Sequence, residues 1–229
     1  MNEFFPLSLW LKGRESLKKF IDANEVKLCF QLGSFISLDK HYYIHNIEEA
    51  SAQSLSMSWD KTNEYIKKAL SLIDADYDDV LSKEEGGMIE YEIGKAPKHC
   101  YPIYIVTVGK EETEKVVYIG KTSAKKNRFK GGHSVALKLH DSKYDGMVKN
   151  IYLGCIVFLT KEKDYLPLEW IYPKNKALEL LDNVESYLIY RFSPELNIQK
   201  KQKNYCKYDF CFHIQNFSSH SNFLNDWIG

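Results

Sequence analysis

The sequence predicts an α/β (α+β) fold: a small antiparallel three-stranded sheet flanked by helices, in the order β-β-α-β-α, behind a mainly helical N-terminal region. Three observations predict it. Two β-branched and aromatic runs, "YPIYIVTV" (101–108) and "VVYIG" (116–120), flank the charged turn "GKEETEK", which is the pattern of an antiparallel hairpin. A third apolar run, "NIYLGCIVFLT" (150–160), reads as a buried strand. Between and after these strands lie two helical patterns, the second of which is the strongest in the chain.

In chain order, "LWLKGRESLKKFIDA" carries a rough helical stripe of apolar residues. "VKLCFQLGSFISL" is β-branched and aromatic enough to be a strand or hairpin. Residues 59–75 read as a helix, with Tyr65, Ile66, Ala69, Leu70 and Ile73 at three- and four-residue spacing and Asp60 or Thr62 as its cap. "DADYDDVLSKEEGG" reads as an acidic turn ending in a flexible Gly-Gly, and "GKAPKHC" as a connector. The change in texture there divides the chain into 1–98 and 99–229. Beyond the hairpin, "SAKKNRFKGGHSVALKLH" begins as a helix that Gly131 and Gly132 break or bend. Residues 173–194 then place Leu178, Leu181, Val184, Leu188 and Phe192 on one helical stripe, with Pro173 at the start and Pro194 past the end.

The 229 residues suffice for a full hydrophobic core without disulfide or metal staples. No apolar run approaches the ~18–20 residues of a membrane span. The N-terminus does not read as a signal peptide. Five scattered cysteines, an odd number, fit a reducing, cytoplasmic compartment. "CKYDFCFHIQNFSSH" holds Cys206, Cys211, His213 and His220, but their spacing fits no common zinc motif; buried thiols and strand histidines are the simpler reading.

Net charge is zero, yet it is unevenly spread. Residues 1–100 carry 12 Lys+Arg against 17 Asp+Glu, whereas residues 115–149 carry 9 Lys+Arg against Asp141 and Asp145 alone. The run 200–207 adds four lysines and no acid. Such a basic band on a neutral chain is either a polyanion-binding face or a solvated basic helix. Around it stand Tyr104 and Tyr118 on adjacent strands, Arg128 ten residues on, then His133 and His140, and downstream Glu185 on the strongest helix and Asn197 beyond it. Each alone has an ordinary explanation: tyrosines pack on strands, arginines sit on surfaces, and Glu185 at the edge of an apolar stripe needs a cationic partner.

The ordered set resembles the GIY-YIG nuclease superfamily over about residues 101–200. The first anchor is Pro-Ile-Tyr, with Pro102 where glycine is usual; the second, Tyr-Ile-Gly, is intact. The resemblance implies a metal-dependent endonuclease, with Tyr104, Tyr118, Arg128, His133 and Asn197 as catalytic residues and Glu185 as the ligand of Mg²⁺ or Mn²⁺. Lys121, Lys125, Lys126, Lys130 and His140 would contact nucleic acid. The chemistry is self-consistent. One carboxylate can hold Mg²⁺ if phosphate oxygens and water complete the octahedron. Arg128 can grip a phosphate bidentately, and Asn197 would orient the loop or a water near the metal. Either Tyr104 or His133 would be the general base. Free tyrosine, with a pKa near 10, needs nearby cations for that role, while histidine does not.

The expectation is a hydrolase of DNA, double-stranded in the first place, with a compact chain closest in character to restriction-endonuclease members. The N-terminal region would serve target selection, homodimerisation or partner contact; no membrane and no small-molecule cofactor are expected. The alternative is a nucleic-acid-binding module that keeps the fold without cutting.

Overall fold

A computed structural model describes residues 5–22, 28–50, 54–123, 129 and 134–228. Its centre is β4 (Lys149–Leu159), buried at nine of its 11 positions. A strand covered on both faces reads as one continuous apolar run, as "NIYLGCIVFL" does. On one side β4 pairs antiparallel with β2 (Ile103–Val108) and, past Cys155, with the short β5 (Tyr165–Pro167). β3 (Lys115–Lys121) adds antiparallel to β2 as the outer strand. These strands, of the predicted three-stranded unit, form only part of the sheet.

On its other side β4 pairs antiparallel along its length with β1 (Ser34–Tyr43), which in turn pairs parallel with β6 (Phe212–Asn216), followed by β7 (Asp226–Ile228). The sheet is therefore mixed and seven-stranded, in the order β3-β2-β4-β1-β6-β7 with β5 beside β4. This corrects the expectation of a small antiparallel three-stranded sheet. The physical reason is the second edge of β4: left unpaired it would bury a row of backbone N–H and C=O groups without partners, and β1 supplies them. β1 comes from residues 1–98 and lies between strands of 99–229.

The two faces of the sheet carry separate cores. One is covered by α1 (Pro6–Leu11), α2 (Leu17–Asp22), α3 (Leu55–Ile73), α4 (Lys83–Glu92) and α6 (Lys174–Phe192), with Trp10, Ile66, Ile89, Leu181 and Leu188 meeting Ile36, Ile105 and Ile119. The other is smaller: Val135 of α5 (Ser134–Lys138), Leu139, Tyr144 and Phe129 pack on Tyr104, Val106 and Leu153.

Local chemistry moves several boundaries. The first helical stripe is broken by Gly13, which takes φ +62 between α1 and α2. α3 begins at Leu55, ahead of the predicted start, because the Ser54 hydroxyl accepts from the Met57 amide as N-cap. The end of the predicted acidic turn, 74–87, enters a helix, Lys83–Glu92, opened by a capping box in which Ser82 and Glu85 exchange hydrogen bonds. Gly86 lies inside it because a Cβ there would collide with the Leu11 carbonyl of α1. On α6 the buried stripe runs through Ala177, Leu180, Leu181, Val184 and Leu188. No described helix is long and apolar enough to cross a membrane.

Leu38 is fully buried in the strand that completes the sheet. Leu38→Ala is expected to destabilise the whole domain by about 2–5 kcal/mol, read as a lower urea midpoint at unchanged denaturant slope.

Candidate functional site

The β2–β3 hairpin sets out the tyrosines. Along β3 the pairing slips between Thr107↔Val116 and Val106↔Tyr118, so Val117 is an extra residue. This bulge brings Val117 and Tyr118 both against the smaller core, with Ile119 directed to the larger one. Tyr104 and Tyr118 then stack at 6.0 Å between centroids and 29° between planes, and the edge of Phe129 meets Tyr104 at 5.2 Å. Tyr104 is 1% exposed. A Cβ on Gly120 would land on its hydroxyl, so the glycine of Tyr-Ile-Gly is required by the tyrosine of the neighbouring strand.

β3 is an edge strand and needs a partner for its outward backbone groups. The loop after α6 provides one. The Asn197 side chain, itself buried, donates from Nδ2 to the Ile119 carbonyl at 2.9 Å and accepts at Oδ1 from the Ile119 amide at 2.9 Å. The Leu196 amide continues the pairing to the Val117 carbonyl at 3.0 Å. An amide is the side chain suited to this, since it offers one donor and one acceptor in a plane, like a peptide. Asn197 thus acts on the backbone of the Tyr-Ile-Gly strand.

This docking lays α6 along β3 and brings two carboxylates to its C-terminal end. Lys121 pairs with Asp182, and its Nζ stands 3.7 Å from Glu185 Oε2. Lys200 Nζ lies 2.7 Å from the same Glu185 oxygen and 3.8 Å from Asp182. Burial lowers the pKa of Lys121; the Glu185 carboxylate opposes that and the Lys200 charge adds to it. Asp182 and Glu185 are three residues apart on one helix face, a spacing visible in the sequence that the reading for Glu185 passed over. Beside them opens a cleft of about 630 Å³ lined by Asp182, Lys200, Lys201, Lys203 and Tyr205.

The structure therefore gathers Tyr104, Tyr118, Lys121, Glu185 and Asn197 around one strand. Strand alternation puts Tyr118 and Gly120 on one face and Ile119 and Lys121 on the other. The Tyr104 hydroxyl lies over Gly120 on the side of the smaller core, whereas Lys121 meets Asp182 and Glu185 on the side that α6 covers. His140 is elsewhere. It lines a cleft of about 750 Å³ with Gly109, Lys110 and Glu114 at the turn end of the hairpin, the length of β2 away, about 20 Å at ~3.3 Å per residue. Arg128, His133, Lys125, Lys126 and Lys130 lie outside the described residues, as do Gly131 and Gly132.

The C-terminal cysteines and histidines do not converge. His220 stacks on His41 at 3.5 Å, His213 stacks on Trp227 at 4.3 Å, and the Cys206 thiol donates to the Tyr208 carbonyl at 3.1 Å.

No protein-family model, no curated protein and no solved structure matches this chain.

Asn197→Ala leaves both Ile119 backbone groups buried without partners, and is expected to cost about 1–3 kcal/mol for each orphaned group. Asn197→Asp, which keeps the acceptor and loses the donor, is expected to fall between; thermal unfolding of both variants checks the order. Gly120→Ala forces Tyr104 out of its packing and is expected to cost about 1–3 kcal/mol, with a change in near-ultraviolet circular dichroism from the displaced tyrosine pair.

Proposed function

We propose that this chain is a metal-dependent endonuclease of the GIY-YIG kind, hydrolysing phosphodiester bonds in DNA. The observation that supports it most is the meeting of Lys121 with Asp182 and Glu185 at the end of the Tyr-Ile-Gly strand, held there by an asparagine 78 residues from the Ile119 it grips.

The donor set suits a hard divalent cation. Asp182 and Glu185 present carboxylate oxygens, the ligand type of Mg²⁺ and Mn²⁺, and Lys200 already holds a cationic group 2.7 Å from Glu185. Glu185 would be the main ligand, with Asp182 one helical turn away. When bound, the metal supplies charge stabilisation on the phosphoryl oxygens. The remaining work belongs to the chain itself. Lys200 and Lys201, lining the cleft next to the carboxylates, attract backbone phosphates with a strong salt dependence. Arg128 grips the scissile phosphate. Tyr104 and His133 are the two groups for accepting the proton of the attacking water; the buried Tyr104 hydroxyl needs an adjacent cation to serve, whereas an imidazole titrates near neutrality unaided. A homodimer would present two such sites, one to each strand of a duplex. The unpaired thiols of all five cysteines suit a cytoplasmic setting.

One observation favours a second reading. The Glu185 carboxylate is engaged by two lysines, which suits a module that binds nucleic acid without cutting it.

Supercoiled plasmid incubated with Mg²⁺, Mn²⁺ or EDTA separates the two. A nuclease converts it to linear or nicked product only with metal, and Glu185→Gln lowers the rate by at least about 10²–10³-fold while DNA binding persists. Absence of conversion with either metal, alongside intact salt-sensitive binding, establishes the binding module. Under both readings Lys200→Ala and Lys203→Ala each reduce the slope of log K against log salt by about 1.

A further inference from the structure

A second group of metal-competent side chains lies away from the β3 site. Asp39 of β1, His99 of the connector into β2, and Cys155 of β4 place one ligand atom each within 4.8 Å of one another. The Asp39 Oδ2 to His99 Nε2 distance is 3.6 Å, and the Cys155 Sγ to Asp39 Oδ2 distance is 3.5 Å. Ligand atoms held at about 2.0–2.3 Å around a tetrahedral zinc stand about 3.3–3.8 Å apart. The two separations from Asp39 thus match the spacing that a bound ion would impose, and His99 and Cys155 lie within 4.8 Å of each other.

Its surroundings are built for a fixed geometry. Asp39 sits at the irregularity in the β1–β4 pairing between Leu38 and Lys40, where a bulge redirects a side chain. The Ser37 hydroxyl donates to the other Asp39 oxygen. Phe5 stacks on the His99 ring at 4.6 Å and 11°, and the Tyr101 hydroxyl lies 3.0 Å from His99 Nε2. Cys155 is 1% exposed, so its thiol has little contact with soluble electrophiles. Behind it Glu169, also buried, accepts from the Cys100 amide at 3.2 Å and from the Cys100 thiol at 3.3 Å. Asp39 is half-buried, and a cationic partner would stabilise its carboxylate there.

We propose that Asp39, His99 and Cys155 bind one Zn²⁺ per chain, with water in the fourth position. Thiolate, imidazole and carboxylate together are a zinc donor set and a poor one for Mg²⁺. On binding, the Cys155 thiol, whose sulfur lies 3.3 Å from the Cys100 carbonyl and 3.5 Å from Asp39 Oδ2, releases its proton to solvent, and sulfur takes up the bond to zinc. The ion would tie β1, β4 and the connector into β2 together at the middle of the sheet. It is independent of Asp182 and Glu185, so it stands or falls apart from the nuclease reading.

The test uses the full chain, stripped with EDTA and titrated with Co²⁺ and Zn²⁺. The expected result is one Co²⁺ per chain with a thiolate-to-cobalt charge-transfer band in the near ultraviolet, displaced by Zn²⁺, and a rise in melting temperature with added Zn²⁺. Cys155→Ser and His99→Ala should each abolish the band. Asp39→Asn should weaken binding at least about tenfold, while Glu185→Ala and the double variant Cys206→Ser with Cys211→Ser should retain it. His99, on the rim of the cluster, carries the test if Cys155→Ser fails to fold. Absence of the band in the parent protein, its survival in His99→Ala, or its loss in the Cys206/Cys211 double variant overturns the proposal.

Discussion

The pairing of both edges of β4 is the constraint on which the other features rest. One edge takes β2 and β5, the other takes β1, and each face is covered by its own set of apolar side chains. With neither edge nor face exposed to water, β4 has only one register that satisfies its backbone and side chains together. The hairpin carrying the tyrosines and the strand carrying Asp39 are fixed relative to each other through it. Leu38, Gly154 and Ile103 meet across these strands, and a Cβ at Gly154 would stand 3.0–3.2 Å from Leu38, Ile103 and Ile36. The sheet is therefore packed without slack at the point where its two halves join.

At the outer edge a different device operates. Among the described residues no strand lies beyond β3, and the Asn197 amide with the Leu196 backbone takes that place. This is economical because a single planar side chain satisfies two backbone groups and anchors the loop that follows α6. Helix, loop and strand become one unit, and the carboxylates of Asp182 and Glu185 are delivered to Lys121 as a consequence. Lys121 and Lys200 neutralise carboxylates brought close together, and Lys200, with Lys201 and Lys203, lines the adjoining cleft with positive charge. A partly desolvated ammonium such as Lys121 interacts more strongly with its carboxylates than a solvated one would.

The hairpin strands, β4 and α6 were legible because each carries its own periodic pattern over a long enough run. Tyr104, Tyr118, Glu185 and Asn197 were legible as an ordered set on those elements. Asp182 was equally readable as a partner three residues before Glu185. β6 and the place of β1 were not legible: "FHIQN" is short, and a strand's neighbours in a sheet are set by long-range pairing that no local pattern encodes. The helix at 83–92 was hidden by Gly86, whose lack of a side chain serves the approach of α1 and so has no signal in its own segment. The lysine ion pairs of Glu185 were likewise invisible, because Lys121 and Lys200 lie on other elements.

By itself the sequence determined the α/β class, the strands at 103–108, 115–121 and 149–159, the helix at 174–192, and the residue types around the basic band, since these follow from side-chain periodicity and charge along the chain. Only the tertiary structure decided that the sheet has seven strands, that β1 lies at its centre, that Asn197 acts on Ile119, and that Asp39, His99 and Cys155 meet. Each of those depends on backbone groups and side chains far apart in sequence finding partners at a buried edge, where hydrogen bonds left unmade cost more than any local propensity can offset.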